Sequence, residues 1–509
     1  MAKFARESSG LVRSLSTLDV FNINFSFMGP AAGILYPLAI AFALQGSNWI
    51  LAAILGGLMT LPISFMYFYL SKEIPLTGGD YIYISRFLGP RWGFVEAFGN
   101  LAFFILGIPI LAMFEVTLVI VPVLQIIGYE YNLPYLTSLA NSLGTPLNLF
   151  ALTVVLIIIA VLINLLTVKN MARIINILTF LQLIGTIAII ISLIMVSHAE
   201  YLSYLSSIKA VNVTAISGSK IIGLNPLSTL VLTGLIITSV YLYSSASIWV
   251  NGEIKKSKNA FIFGILGSFS VAVLFTVLLV SVIVRTIGAN VFTYVEINGW
   301  NLPFAPSSML SFAIIPSLKN PFLFFTIIAG ALTWDILYLI INVTIPSRVL
   351  FAMSFDRAMP TSFSTVRRGV PYIAILTIGA LAILFDYLEI VVGLTISEIV
   401  DLIIYVVYQY MLTTIAAIRI GKKYGEPELL ISSVLSFASL AITVGSIFYY
   451  SAVSPAFFSQ IYYGSAVVNI GVLISIAVIS LVAFELVKHY RLKKEGINIT
   501  YNYKELPPE

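Results

Sequence analysis

The sequence predicts an all-α integral membrane protein with twelve transmembrane helices. Three observations predict it. Of 509 residues, 59% are hydrophobic and 10% charged, with a mean hydropathy of +1.02, whereas a soluble domain carries about a quarter charged residues. The apolar residues come in solid runs of about 20, the length of a helix that crosses a hydrocarbon core, and do not alternate as barrel strands would. The basic residues gather in alternate loops.

In order along the chain the predicted spans are 18–44, 49–71, 92–126, 146–168, 171–196, 226–250, 260–285, 320–345, 370–393, 397–418, 429–452 and 464–487. With these limits, all but four of the 27 Lys and Arg residues fall on one side, the exceptions being Lys209, Lys220, Arg285 and Lys319. The excess of positive charge marks the cytoplasmic side, so both termini are expected in the cytoplasm, with the spans in the plasma membrane. A missed or extra span would exchange the sides of every later loop and destroy the asymmetry. The start, MAKFARESSGLVRS, lacks a short apolar region with a small-residue cleavage site, so the first apolar run is read as a retained span. Residues 1–17 form a cytoplasmic segment, 18–418 a transport-sized core, 419–487 two additional helices, and 488–509 a charged tail expected to fray. The outer loops 197–225 and 286–319 are long enough for short surface helices, and Asn212-Val213-Thr214 is a glycosylation sequon on that side.

The inventory excludes several functions. There is no Cys, and the two His residues, His198 and His489, are far apart in sequence. A zinc site or a nucleophile–base pair lacks its parts, so no enzyme is expected. The net charge of +5 is accounted for by the cytoplasmic loops and implies no nucleic-acid partner. The expected partners are the bilayer and a small molecule.

The first span, FNINFSFMGPAAGILYPLAIAF, carries Gly29, Pro30 and Gly33 in its middle. Unwinding there frees carbonyls from Ser26 to Gly29 and N–H groups on Ala31, Ala32 and Gly33, which lipid cannot satisfy. The N–H groups suit a carboxylate and the carbonyls an ammonium group or a sodium ion, so one break fits both ends of a zwitterion. Broken helices in transporters come in pairs at matching places in two inverted repeats. Five spans later, LTGLIITSVYLYSSASIWVNGE holds a polar island from Tyr241 to Ser247, with Tyr241, Ser244 and Ser245 as candidate ligand contacts. Serines bonded back within an intact helix are the alternative there.

Acids inside a membrane are costly and usually functional. Asp335 lies 13 residues before Arg348, about 20 Å along a helix. It could be a proton acceptor, a sodium ligand near Gly29, a counter-charge for a cationic substrate, or a hydrogen-bonded structural residue. Glu115 is deeper in the third span than Glu96. Glu398 and Asp401 read as helix-start acids. Asp19 follows Ser16 at capping-box spacing, and a second role in a cytoplasmic gate with Arg348 or Arg86 is considered.

Several of these segments resemble the amino acid–polyamine–organocation (APC) superfamily of permeases. LSTLDVFNINFSFMGPAAGI is similar to the family's first span, and KEIPLTGGDYIYISRFLGPRWGFVEAF to its second-to-third-span segment. NGEIKKSKNA and RVLFAMSFDRAMPTSFSTVRRGVPYIAI resemble the end of its sixth span and the loop after its eighth. The resemblance implies a five-plus-five inverted-repeat fold, with repeats at about 18–196 and 226–418, discontinuous first and sixth helices and two extra helices. It also implies alternating-access transport of amino acids or related amines, with a proton or sodium ion as coupling ion and no other cofactor. An exchanger, or a non-transporting sensor on the same fold, are the alternatives. Two departures stand out. Pro30 and Ala31 follow Gly29, where many members have a small polar residue and a Gly. Gln182 falls where proton-coupled members carry a Lys; it cannot hold that charge, which argues against coupling by that route.

Overall fold

Lipid offers the backbone no hydrogen-bond partner, so the solid apolar runs must satisfy themselves as helices. The computed structural model describes residues 4–213, 216, 223–255, 258–304, 309–394, 402–462 and 466–508. Among them, eleven helices are long and apolar enough to cross a membrane. They are Thr17–Ala43, Trp49–Glu73, Pro90–Glu130, Pro146–Asn164, Val168–Ile194, Pro226–Glu253, Asn259–Thr286, Pro321–Phe355, Tyr372–Ile390, Pro427–Val453 and Ile470–Glu495. The helix Leu402–Tyr424 stands in the place of the expected tenth span and is called the tenth helix below. The expected start of that span, with Glu398 and Asp401, lies outside the described residues, as does Thr214 of the sequon. The third and eighth spans are longer than expected and carry extra helical turns at their ends.

Each of the first four spans packs on the span five positions later: first on sixth, second on seventh, third on eighth, fourth on ninth. An offset of five is what two intertwined five-helix sets generate. Small residues permit the closest approaches. A Cβ built on Gly185 would lie 2.6 Å from Gly330 Cα, so the fifth and eighth spans touch backbone to backbone.

At one end of the bundle the long loops fold into short helices, His198–Ser207, Ala289–Asn298 and Met309–Ile314. Their aromatic residues close over the core: Phe292 stacks on Phe312 at 4.3 Å and meets Trp49 of the second span at 5.7 Å.

The other end, the basic end, carries both termini. Leu15 forms a parallel bridge to Ile254, and the Ala5 N–H donates to the Phe355 carbonyl. The tail corrects the expectation of fraying. Ile499, Asn502 and Tyr503 are buried, the Asn502 amide donates to the Asp356 carbonyl at 2.8 Å, and the Tyr503 and Tyr81 hydroxyls lie 3.1 Å apart. Its charged composition hid an apolar side chain and an aromatic ring that find a seat only in three dimensions.

Candidate substrate site at the paired helix breaks

The first span breaks at Gly29, where φ is +44° and ψ +65°. A side chain is disfavoured in that left-handed region, and glycine is not. The helix Thr17–Met28 ends there, and Pro30, which needs no N–H partner, opens the next turn. The freed carbonyls of Met28 and Gly29 both face the Tyr338 hydroxyl, each at 3.4 Å. The carbonyls expected to face a cation thus already receive a donor from the eighth span. Of the three N–H groups expected at the break, that of Gly33 is taken by the Gly29 carbonyl at 2.7 Å. Ala31 is fully buried and Ala32 partly exposed.

The sixth span changes course at Val240, which has φ −125° and ψ −64°. The helix Pro226–Ser239 ends, and Tyr241–Glu253 continues in 3₁₀ form with a kink at Val250, where φ is −103° and ψ 18°; such long stretches are uncommon for this form. The two breaks face each other: a Cβ built on Gly33 would lie 2.9 Å from the Ser239 carbonyl and 3.0 Å from Val240.

The polar residues of the sixth span divide between neighbours instead of converging on the first span. The Tyr241 hydroxyl donates to the Ala53 carbonyl, and Ser244 meets Ser64, both on the second span. Ser245 lies 3.0 Å from the Tyr410 hydroxyl of the tenth helix. Ser26 bonds back to the Ile23 carbonyl. The residue that joins the two broken helices is Asn24, which sequence reasoning missed. Its side-chain oxygen accepts the Ser247 N–H at 2.7 Å, and its amide donates to the Gly264 carbonyl at 2.8 Å. Tyr243, not Tyr241, faces the first break, with its ring 4.7 Å from Phe27. Phe27 also packs on Tyr338 and Phe104, and Phe104 on Trp249, giving an aromatic lining drawn from the first, third, sixth and eighth spans.

A further break was not foreseen. The eighth span interrupts at Leu332 and Thr333, between Pro321–Ala331 and Trp334–Phe355, without Gly or Pro at the two interrupted positions. Asp335 therefore sits in the first turn of a new helix segment. Its N–H donates to Glu115 Oε2 at 3.2 Å. Glu115 opens a π-helical turn, Glu115–Ile120, in the third span, and such turns turn a side chain out of register. Among the described residues, its second oxygen has no hydrogen-bond partner, and neither polar atom of the buried Gln182 side chain has one. Gln182 Nε2 lies 3.3 Å from a Cβ built on Gly29. The first break is thus bordered by an unpartnered amide, with a pair of acids one span away.

The proposed gate residues take other partners. Asp19 closes the capping box with Ser16 and accepts from Asn176 at 2.7 Å; it meets neither arginine. Arg348 pairs with Glu253 at 3.0 Å, both side chains fully buried. Arg86 pairs through two nitrogens with Asp356, at 2.6 and 2.7 Å, and Tyr81 donates to the same carboxylate. The expected Asp19–arginine contact is therefore corrected. Capping satisfies Asp19 locally, and the arginines find acids at the ends of the sixth and eighth spans.

Broken helices that face each other inside a bundle of apolar spans define an all-helical membrane transporter fold. The chain belongs to the amino acid permease family, whose pattern matches residues 15–484. It is also 25% identical over 495 residues, 97% of this chain and 98% of the relative, to "Uncharacterized protein 399" of Sulfolobus islandicus rod-shaped virus 1.

Proposed function

We propose that the chain is a secondary active transporter that moves an amino acid or related amine across the plasma membrane by alternating access. The observation that carries the reading is the left-handed break at Gly29 set against the break at Val240. Each break puts backbone polar groups inside an apolar bundle, where a zwitterion can replace the contacts they now make. In this reading the Ala31 and Ala32 N–H groups take the carboxylate. The Met28 and Gly29 carbonyls take the ammonium group or a coupling ion once Tyr338 withdraws. The aromatic lining receives the substrate side chain. With both termini in the cytoplasm, the Arg348–Glu253 and Arg86–Asp356 pairs lie on that side and must part for release.

Coupling is to a proton or a sodium ion, with Asp335 and Glu115 as the groups that can accept either. A second reading, exchange of cationic amines, draws on one observation: among the described residues, neither acid bonds to a cationic side chain. A sensor on the same fold would bind without moving its ligand.

Uptake of a mixed radiolabelled amino-acid panel into proteoliposomes tests these readings. Accumulation under an imposed proton or sodium gradient, lost or uncoupled in Asp335→Asn, is the expected result. Uptake that needs only internal substrate would make the protein an exchanger. No flux, with a ligand that still raises thermal stability, would sink the transport reading.

A further inference from the structure

A second group of buried polar residues lies away from the helix breaks, where the second, third and tenth helices meet the short helix Asp80–Phe87. Asp80 opens that short helix and is fully buried. Its Oδ1 accepts the Tyr67 hydroxyl at 3.0 Å, Thr413 of the tenth helix lies beside it, and Oδ2 has no hydrogen-bond partner among the described residues. Glu96 of the third span is also fully buried, close enough to Asp80 to repel it, and both its oxygens are unpartnered. One turn along the same face, Asn100 is fully buried with both polar atoms unpartnered. Gln409, one turn before Thr413, has an unpartnered amide nitrogen.

Among the described residues, no cation pairs with these acids. Arg86 is held by Asp356 and Arg348 by Glu253. The other titratable groups facing Asp80 are Tyr67 of the second span, Tyr83 of its own helix and Tyr410 of the tenth, all neutral hydroxyls. Two bare carboxylates buried side by side is a state that proteins avoid, usually by keeping a proton on one of them. The unpartnered atoms include donors, on Asn100 and Gln409, as well as acceptors. A mixed set of that kind suits a protonated acid with water better than a metal ion, which takes acceptors alone.

We propose that Asp80 and Glu96 form a proton-binding site, distinct from the acids of the central site, in which the pair carries one proton in place of a second negative charge. The site has a path to the sixth span: Asp80 bonds Tyr67, the Tyr67 ring packs on Tyr410 at 5.4 Å, and Tyr410 bonds Ser245. In the proposed transport cycle, loading the proton would thus be felt at the broken segment of the sixth span. Burial also holds the Asp80 carboxyl up, to about 7 from an ordinary 3.8. The native chain then keeps a proton that the unfolded chain releases. Stability from this group is full below its ordinary value and is lost as pH rises through about 7.

Difference infrared spectroscopy on the purified full chain, titrated from acid to alkaline pH, tests the proposal. A protonated-carboxyl band that titrates, loses intensity in both Asp80→Asn and Glu96→Gln, and persists in Glu115→Gln/Asp335→Asn is the expected result. The unfolding temperature of the wild type should fall with rising pH, and either variant of the pair should flatten that slope. Should either single variant fail to fold, the titration of Glu115→Gln/Asp335→Asn decides alone: without a titrating band there, the proposal is overturned. Displacement of the band by sodium chloride, but not by choline chloride, would overturn it too, in favour of a sodium site. The result does not depend on the transported substrate, so its failure would leave the transport reading standing.

Discussion

Gly29 shows how much one residue can decide. A methyl group there would clash with the Tyr338 hydroxyl and would force a side chain into the left-handed region. Gly29→Ala should cost about 1–2 kcal/mol from the backbone alone, and more from the clash. We expect a lower unfolding temperature and loss of uptake, with stability partly recovered by Tyr338→Ala in the same chain. Asn24 is the less obvious counterpart. Asn24→Leu removes the acceptor of the Ser247 N–H and the donor to the Gly264 carbonyl. The Gly264 carbonyl keeps the Ser268 hydroxyl at 2.6 Å, so the loss falls on the Ser247 N–H; a donor left buried without a partner costs about 1–3 kcal/mol, which thermal unfolding of the variant in detergent would register. The two residues differ in legibility. Gly29 and Pro30 change the chain's local rules, so the break could be read from the sequence. Asn24 is one amide in an apolar run, and its importance exists only once the sixth span lies beside it.

At the scale of helices, the breaks were legible in unequal degree. The first carries its breakers in sequence, the sixth shows only a polar island, and the eighth shows nothing at Leu332 and Thr333 themselves. There the cause is tertiary: Glu115 from the third span receives the Asp335 N–H and so caps the new segment from outside. Glu115→Ala should leave that N–H buried and unpartnered, whereas Glu115→Gln keeps an acceptor oxygen. The alanine variant is expected to unfold at lower temperature than the glutamine one, and the reverse order would show that the cap contributes nothing. The ends of the sixth and eighth spans are tied by Arg348 and Glu253, with both side chains at 0% exposure. Arg348→Ala strands a buried carboxylate and should cost about 3–5 kcal/mol. Arg348→Met combined with Glu253→Gln should cost much less than that single change, a comparison that thermal melts of the three variants would make directly. The charges near these ends were visible in the sequence, but their pairing was not, because helix periodicity says nothing about which acid faces which base across a bundle.

Across the whole molecule, alternation of basic loops and apolar runs conveyed the all-helical membrane class and most span positions. What it missed is contact between distant parts of the chain, above all the docking of the last residues. The Arg86 guanidinium, already paired with Asp356, lies 5.1 Å above the Tyr503 ring, and Pro507 and Pro508 line a small cavity with Arg13, Thr77 and Gly252. Removal of residues 497–509 should expose the seat of Ile499 and Tyr503. The two buried side chains together are worth about 3 kcal/mol or more, and the truncated chain should melt earlier and be cut sooner by protease at the basic end.

The seated tail also bears on how the protein is made. A chain that threads into the membrane as it leaves the ribosome can place every span before residues 497–508 appear, yet the basic end then still lacks a part. Asn502 and Tyr503, which follow the last span, complete a surface built around Tyr81, Arg86 and Asp356. Assembly of that end therefore waits on the segment that follows the last span, and a chain inserted only as far as Glu495 would have its spans in place but that surface open.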